Sequence, residues 1–114
     1  MTLFKRVLAA MTPSTQDIDV ATARQMQQNG ARLVDVREPK EYADGHAAGA
    51  RNIPLGEVGT RLAEIPMNVE VLLICRSGHR SEQAQDLLRR QGRTNTLNVR
   101  GGTADWQASG LPVE

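Results

Sequence analysis

The stretch Val71-Leu72-Leu73-Ile74-Cys75-Arg76-Ser77-Gly78-His79-Arg80-Ser81 sets the only cysteine of the chain between an apolar run and a helical pattern. Four consecutive branched apolar residues read as a buried strand. Residues 81–91, with Ala84, Leu87 and Leu88 on one face and Gly92 as terminator, read as a helix. A strand-to-helix turn presents a thiolate. Successive backbone N–H groups point inward, the helix adds the positive end of its dipole, and Arg76 and Arg80 add full charges. Such surroundings lower a cysteine pKa from about 8.5 to about 3.5–7.5. A cysteine after Val-Leu-Leu-Ile also fits a small buried hydrophobe at the end of a strand. The two arginines and Gly78 turn the reading to a reactive thiol, because a core cysteine has no use for cations beside it.

Outward from this stretch, strands and helices alternate. Ile18 and Val20 predict a short strand, residues 21–29 a helix stopped by Asn29-Gly30, and Leu33-Val34-Asp35-Val36 a buried strand. Pro39 opens a short helix that Asp44-Gly45 ends. Residues 50–53 predict a brief strand before Pro54, 57–65 a short helix before Pro66, 69–74 the central strand and 96–99 the last one. Gly101-Gly102 opens a final helix through Trp106 that ends about Ser109-Gly110. This order predicts the α/β class, with a mainly parallel sheet covered on both faces and ligands at the carboxyl ends of its strands. Cys75, Asp35 with Arg37, and Arg100 with Gly101 all fall at such ends, so three strand ends converge on one site.

Composition bounds the chemistry. At 114 residues, 39% hydrophobic and only 3% aromatic, the chain is expected to form one domain with a core of Leu, Val, Ile and Ala. Fourteen basic and 13 acidic residues are interspersed, with a net charge of +1, so no basic face long enough to track a nucleic acid is implied. One cysteine excludes an internal disulfide and a Cys-X-X-Cys pair, so any sulfur chemistry must hand over to another molecule. His46 and His79 stand far apart with no second cysteine, which supports neither a metal site nor a cofactor. Apolar runs of four or five residues fall far short of the roughly 20 needed to cross a bilayer, and a soluble, cytoplasmic protein is expected.

Residues 1–16 read as an N-terminal extension, with the domain proper over 17–114. Lys5 and Arg6 stand among Leu3, Phe4, Val7, Leu8 and Met11 at helical spacing, without the continuous apolar segment of a signal peptide. The apolar face of this amphipathic helix packs on the domain, on a second copy to form a homodimer, or on a membrane surface. Thr12-Pro13-Ser14-Thr15 separates it from the rest.

Taken together, several segments resemble the single-domain rhodanese sulfurtransferases. They are Asp35-Val36-Arg37-Glu38-Pro39 with Glu41-Tyr42, Gly45-His46, Gly49-Ala50, Asn52-Ile53-Pro54, Cys75-Arg76-Ser77-Gly78 with Arg80-Ser81, and Gly101-Gly102 with Trp106. They occur in the family's order and spacing from about Ile18 to Pro112. Ala47 and Val99 depart from the family's common choices in ways that look like packing changes. The resemblance implies a rhodanese-like three-layer domain with a mainly parallel five-stranded sheet flanked by helices. It further implies that Cys75 attacks the outer sulfur of thiosulfate or a persulfide donor and holds it as a persulfide. Cyanide, a small thiol or a protein thiol then removes it, in two displacements with ping-pong kinetics. The loop Arg76, Ser77, Gly78, His79, Arg80 and Ser81 would bind the donor and stabilise the persulfide through backbone N–H groups. Asp35 and Arg37 would belong to the supporting shell.

Individual roles divide as follows. Ser77 and Ser81 either donate hydrogen bonds to sulfur or cap the helix. Arg80 faces the anion or pins the loop, and Arg76 binds thiosulfate at the rim or is simply solvated. Gly101-Gly102 permits a tight turn or a close backbone approach, Trp106 fills the core, His46 is structural, and His79 at most tunes the loop. The competing enzyme reading is a cysteine phosphatase or arsenate reductase, families that place five residues between cysteine and arginine. Here only Arg76, Ser77, Gly78 and His79 intervene, and the smaller ring suits one sulfur. A non-enzymatic binding module predicts loss of the cysteine, which is present.

Overall fold

A computed structural model of the chain describes residues 17–114. Its sheet contains β1 (Asp17–Ile18), β2 (Arg32–Asp35), β3 (Arg51–Asn52), β4 (Val71–Ile74) and β5 (Thr96–Val99) in the order β1-β5-β4-β2-β3. Every neighbouring pair is parallel. The helices are α1 (Val20–Gln28), α2 (Pro39–Ala43), α3 (His79–Arg90) and α4 (Gly102–Ala108). The expected α/β architecture is therefore present, with five strands and helices on both faces.

The central strand β4 shows why both faces must be covered. All four of its residues are fully buried. Val71, Leu73 and the following Cys75 join a cluster with Val34, Val36, Ala84 and Leu88, whereas Leu72 and Ile74 join Val20, Ala23, Val99 and Trp106 on the other face. Burial of each such side chain stabilises by roughly 1.5–3 kcal/mol, and a one-residue slip would reverse every face. The register of the strand that leads into Cys75 is thereby fixed.

Several boundaries differ from the sequence pattern for identifiable reasons. Val20 opens α1 rather than extending a strand, because the Asp19 carboxylate accepts the Thr22 N–H at 2.8 Å and caps the helix. In place of the helix expected over 57–65 stand two 3₁₀ helices, Leu55–Thr60 and Leu62–Glu64, where Gly56 and Gly59 weaken an α-helix. Strand β4 starts at Val71 instead of 69, and β2 ends at Asp35. Helix α3 starts at His79, two residues before Ser81, since Gly78 at φ +109° turns the chain into it. Pro39 does open α2, and the Glu38 N–H donates to the Glu41 carboxylate at 3.2 Å.

Trp106 is fully buried, as expected, and its indole N–H donates to the Pro112 carbonyl at 2.8 Å. This ties the chain end back over the domain, where Ala47 and Val113 form an antiparallel bridge. The amphipathic extension expected over residues 1–16, and any dimer contact through it, lies outside the described residues. Among the described residues no helix is long and apolar enough to cross a membrane, and no group of three or more His, Cys, Asp or Glu is placed to hold a metal ion.

Candidate active site

Cys75 immediately follows β4 and is 1% exposed. The backbone N–H of Gly78 donates to Sγ at 3.1 Å, and the Ser81 hydroxyl donates to it at 3.3 Å. Burial pushes the thiol pKa up. The Ser81 hydroxyl, the Ser81 N–H and the N–H groups of Gly78 and Ser77 outweigh it, holding the thiol below its ordinary value. The sulfur anion is thus favoured chiefly by neutral donors. Ser81, a helix cap or a sulfur donor by sequence, lies fully buried in the first turn of α3 with its hydroxyl on the sulfur.

Helix α4 grips the opposite side of the turn. Thr103 N–H and Oγ1 donate to the Cys75 carbonyl at 2.8 and 3.0 Å, and Ala104 N–H donates to the Arg76 carbonyl at 3.1 Å. Gly102 makes this possible. It has φ +56°, and a Cβ there would collide with the Cys75 carbonyl oxygen and stand 2.6 Å from the Arg76 carbonyl carbon and oxygen. The glycine pair therefore serves a close backbone approach, one of its two expected uses.

The two arginines of the loop differ. Arg80 is pinned by Glu41, its two terminal nitrogens donating to the two carboxylate oxygens at 2.7 and 3.0 Å. The hydrogen bond from Arg80 holds the Glu41 carboxyl down at about 2. In turn Glu41 raises Arg80 most, with Cys75 and Asp35 adding smaller attractions. Arg76 is exposed, and its side chain has no hydrogen-bond or ion-pair partner among the described residues. Ser77 and His79 are also exposed.

Asp35 and Arg37 form a buried pair beside the end of β4. Asp35 is fully buried and Arg37 6% exposed. The Asp35 carboxylate accepts the Arg37 backbone N–H at 2.9 Å, Nε at 3.1 Å and a terminal nitrogen at 2.8 Å, and the same nitrogen donates to the Gly45 carbonyl at 2.8 Å. The Val36 N–H donates to the Ile74 carbonyl at 2.9 Å. The pair thus fixes the chain that leads into α2 and brackets it between Arg37 and Gly45. Through Glu41, that segment reaches Arg80 and the start of α3.

Three residues of this arrangement escaped the sequence pattern. Glu41 meets Arg80 across 39 positions of sequence, a separation that no periodicity reports. Thr103 clasps the Cys75 carbonyl, and Asn98 donates from Nδ2 to the Gly78 carbonyl at 3.3 Å. Asn98 did leave a signal, being a polar residue inside Thr96-Leu97-Asn98-Val99. His46 stacks on Tyr42 with ring centroids 3.6 Å apart, and its Nδ1 lies 2.9 Å from the Tyr42 carbonyl oxygen, in keeping with a structural role.

A parallel α/β domain thus sets one buried, donor-ringed thiol at the end of its central strand, where the sulfur is favoured as an anion. The family model for the rhodanese-like domain matches residues 19–109. Over 81 residues the chain is 43% identical to a sulfurtransferase of Allochromatium vinosum, covering 71% of this chain and 76% of that one. It is 32% identical over 98 residues to the thiosulfate sulfurtransferase GlpE of Pseudomonas paraeruginosa, covering 86% and 89% respectively. The crystal structure of a rhodanese-related protein from Thermoplasma volcanium superposes with a TM-score of 0.79 at 30% identity, covering 87% of this chain and 97% of that one. The chain belongs to the rhodanese-like domain family. Its relatives support sulfur transfer as the general class of its chemistry.

Proposed function

We propose that the protein is a thiosulfate sulfurtransferase that moves sulfane sulfur from thiosulfate or a persulfide donor, through a persulfide on Cys75, to cyanide or a thiol. The observation that carries this reading is the ring of donors on Sγ, from Gly78 and Ser81, which keeps the thiol below its ordinary pKa. In the first displacement the Cys75 thiolate attacks the outer sulfur of thiosulfate. The donor's S–S bond breaks, and sulfite leaves with the electron pair. The N–H groups of the 76–81 loop then face the charge of the terminal sulfur. In the second displacement an acceptor attacks that sulfur, the persulfide bond breaks, and the Cys75 thiolate is restored. The first step needs no base, because the lowered pKa favours Cys75 as the thiolate; in the second, cyanide attacks as the anion, and a thiol acceptor gives its proton to solvent. Cyanide leaves as thiocyanate, and a thiol leaves as a persulfide.

Arg76 draws the anionic donor to the rim, while Arg80, held by Glu41, keeps the loop closed around the sulfur. Asp35 and Arg37 act on the loop through the α2 segment. A reducing compartment, the cytoplasm, keeps the single thiol available between turnovers. With thiosulfate and cyanide, the protein should form thiocyanate, and Cys75→Ser should abolish it. Thiocyanate formation that survives this change refutes the proposal, and phosphate release from an aryl phosphate would favour the phosphatase reading.

A further inference from the structure

A polar cavity of about 180 Å³ lies against the Cys75 loop, walled by Gly78, by His79 and Glu82 of α3, and by Asp17, Asn98 and Arg100 at β1 and β5. Asp17 and Asn98 face each other across the strand pair, and the Arg100 N–H donates to Ile18 at 2.7 Å, so the charged walls stand on paired backbone. Asp17, Glu82 and Arg100 are in no salt bridge among the described residues, and neither is His79. Asn98 is 2% exposed and its Oδ1 accepts no hydrogen bond. A buried acceptor without a donor is unfavourable, and here it borders a polar cavity.

We propose that this cavity binds the ammonium and carboxylate of a small α-amino acid, and that the sulfur acceptor is an amino thiol of the cysteine type. A ligand of one sign would leave either Asp17 and Glu82 or Arg100 facing like charge. A zwitterion meets both, and its ammonium supplies the donor that Asn98 Oδ1 lacks. The volume equals that of roughly six waters, which suits a molecule of cysteine's size. Gly78 is the wall that cavity and sulfur share: its N–H donates to Cys75 Sγ at 3.1 Å, while a Cβ on it would sit 3.9 Å from Arg100 Cα and Asn98 Nδ2. The acceptor identity rests on the sulfur-transfer reading above. The acceptor thiolate attacks the terminal sulfur of the Cys75 persulfide, a new S–S bond forms, and the Cys75–S bond breaks with its electron pair returning to Cys75. The thiol's proton passes to solvent.

L-serine, which cannot take sulfur, probes the cavity alone, with ethanolamine and 3-hydroxypropionate as analogues lacking one charge each. Titration of the full chain by NMR should show serine shifting the Asn98, Arg100 and Glu82 amides, with each analogue binding about tenfold more weakly. Asp17→Asn and Arg100→Gln should each weaken serine by a similar factor. On the persulfide-loaded chain, cysteine should show a KM about tenfold below those of cysteamine and 3-mercaptopropionate. Equal binding of the three serine-series probes, or no binding by a chain that thiosulfate still loads, overturns the proposal. Serine binding without any sulfur on Cys75 upholds the cavity as an amino-acid site and refutes sulfur transfer instead.

Discussion

Gly102→Ala measures how tightly α4 holds the Cys75 turn. Alanine at φ +56° incurs roughly 1–2 kcal/mol of backbone strain before any contact is counted. Its Cβ would stand 2.6 Å from the Arg76 carbonyl carbon and oxygen and press on the Cys75 oxygen. Relieving this to an ordinary carbon–oxygen approach of about 3.3 Å moves α4 back by about 0.7 Å. The hydrogen bonds from Thr103 and Ala104, now 2.8 and 3.1 Å, would lengthen toward or beyond the useful limit. With about 0.5–1.5 kcal/mol lost for each, the total reaches about 2–5 kcal/mol, a large share of a typical 5–15 kcal/mol. Gly92→Ala is the control: it has φ +82° and nothing within 4 Å of an added Cβ, so only strain of about 1–2 kcal/mol applies. Urea unfolding should show the midpoint of Gly102→Ala falling well below that of Gly92→Ala at unchanged slope. Equal losses in the two variants would refute the close-approach argument.

Three further perturbations follow from the same contacts. Ser81→Ala removes a buried donor to sulfur; a hydrogen bond to a charged group is worth about 1.5–3 kcal/mol, so the thiol–thiolate balance shifts toward thiol by about tenfold or more. The pH profile of Cys75 alkylation should move to higher pH, and an unmoved profile contradicts the donor-ring account. Asp35→Asn leaves the buried Arg37 guanidinium without its anion and should lower stability by about 3–5 kcal/mol, whereas a loss under about 1 kcal/mol would show that the pair does not anchor the segment. Glu41 is held at about 2 by Arg80 against an ordinary 4.5, so its contribution is full above pH 4.5 and disappears as pH falls toward 2. The pair is about one-third exposed and contributes about 1 kcal/mol or less. A stability gap between wild type and Glu41→Gln should close across that range, and a gap persisting at pH 2 would contradict the assignment.

The fold was legible where one residue type admits few conformations or one pattern admits few partners. Val71-Leu72-Leu73-Ile74 can hardly be other than a doubly covered strand, and Pro39 and Gly101-Gly102 stand at the starts of helices as their geometry requires. Short elements were less legible. Val20 follows a strand in its side chain but a helix in its backbone, because Asp19 caps through Thr22. Glycines at 56 and 59 divert an apparent helix into 3₁₀ turns. The cysteine loop was legible in position and less so in its physics. The sequence left Arg80 to face the anion or to pin the loop; it spends its hydrogen bonds on Glu41, as in the second reading, and the sulfur takes Gly78 and Ser81. Partners set by tertiary contact, such as Glu41 and Thr103, leave no local spacing to read.

Cys75 as the seat of transferable sulfur is tested most directly by the intact mass of the full chain after incubation with thiosulfate and removal of excess reagent. The expected result is one added sulfur atom, located on the peptide that carries Cys75 and released as an equal amount of thiocyanate by cyanide. A chain whose mass is unchanged by thiosulfate and by persulfide donors, or that carries the sulfur anywhere but Cys75, contradicts the account.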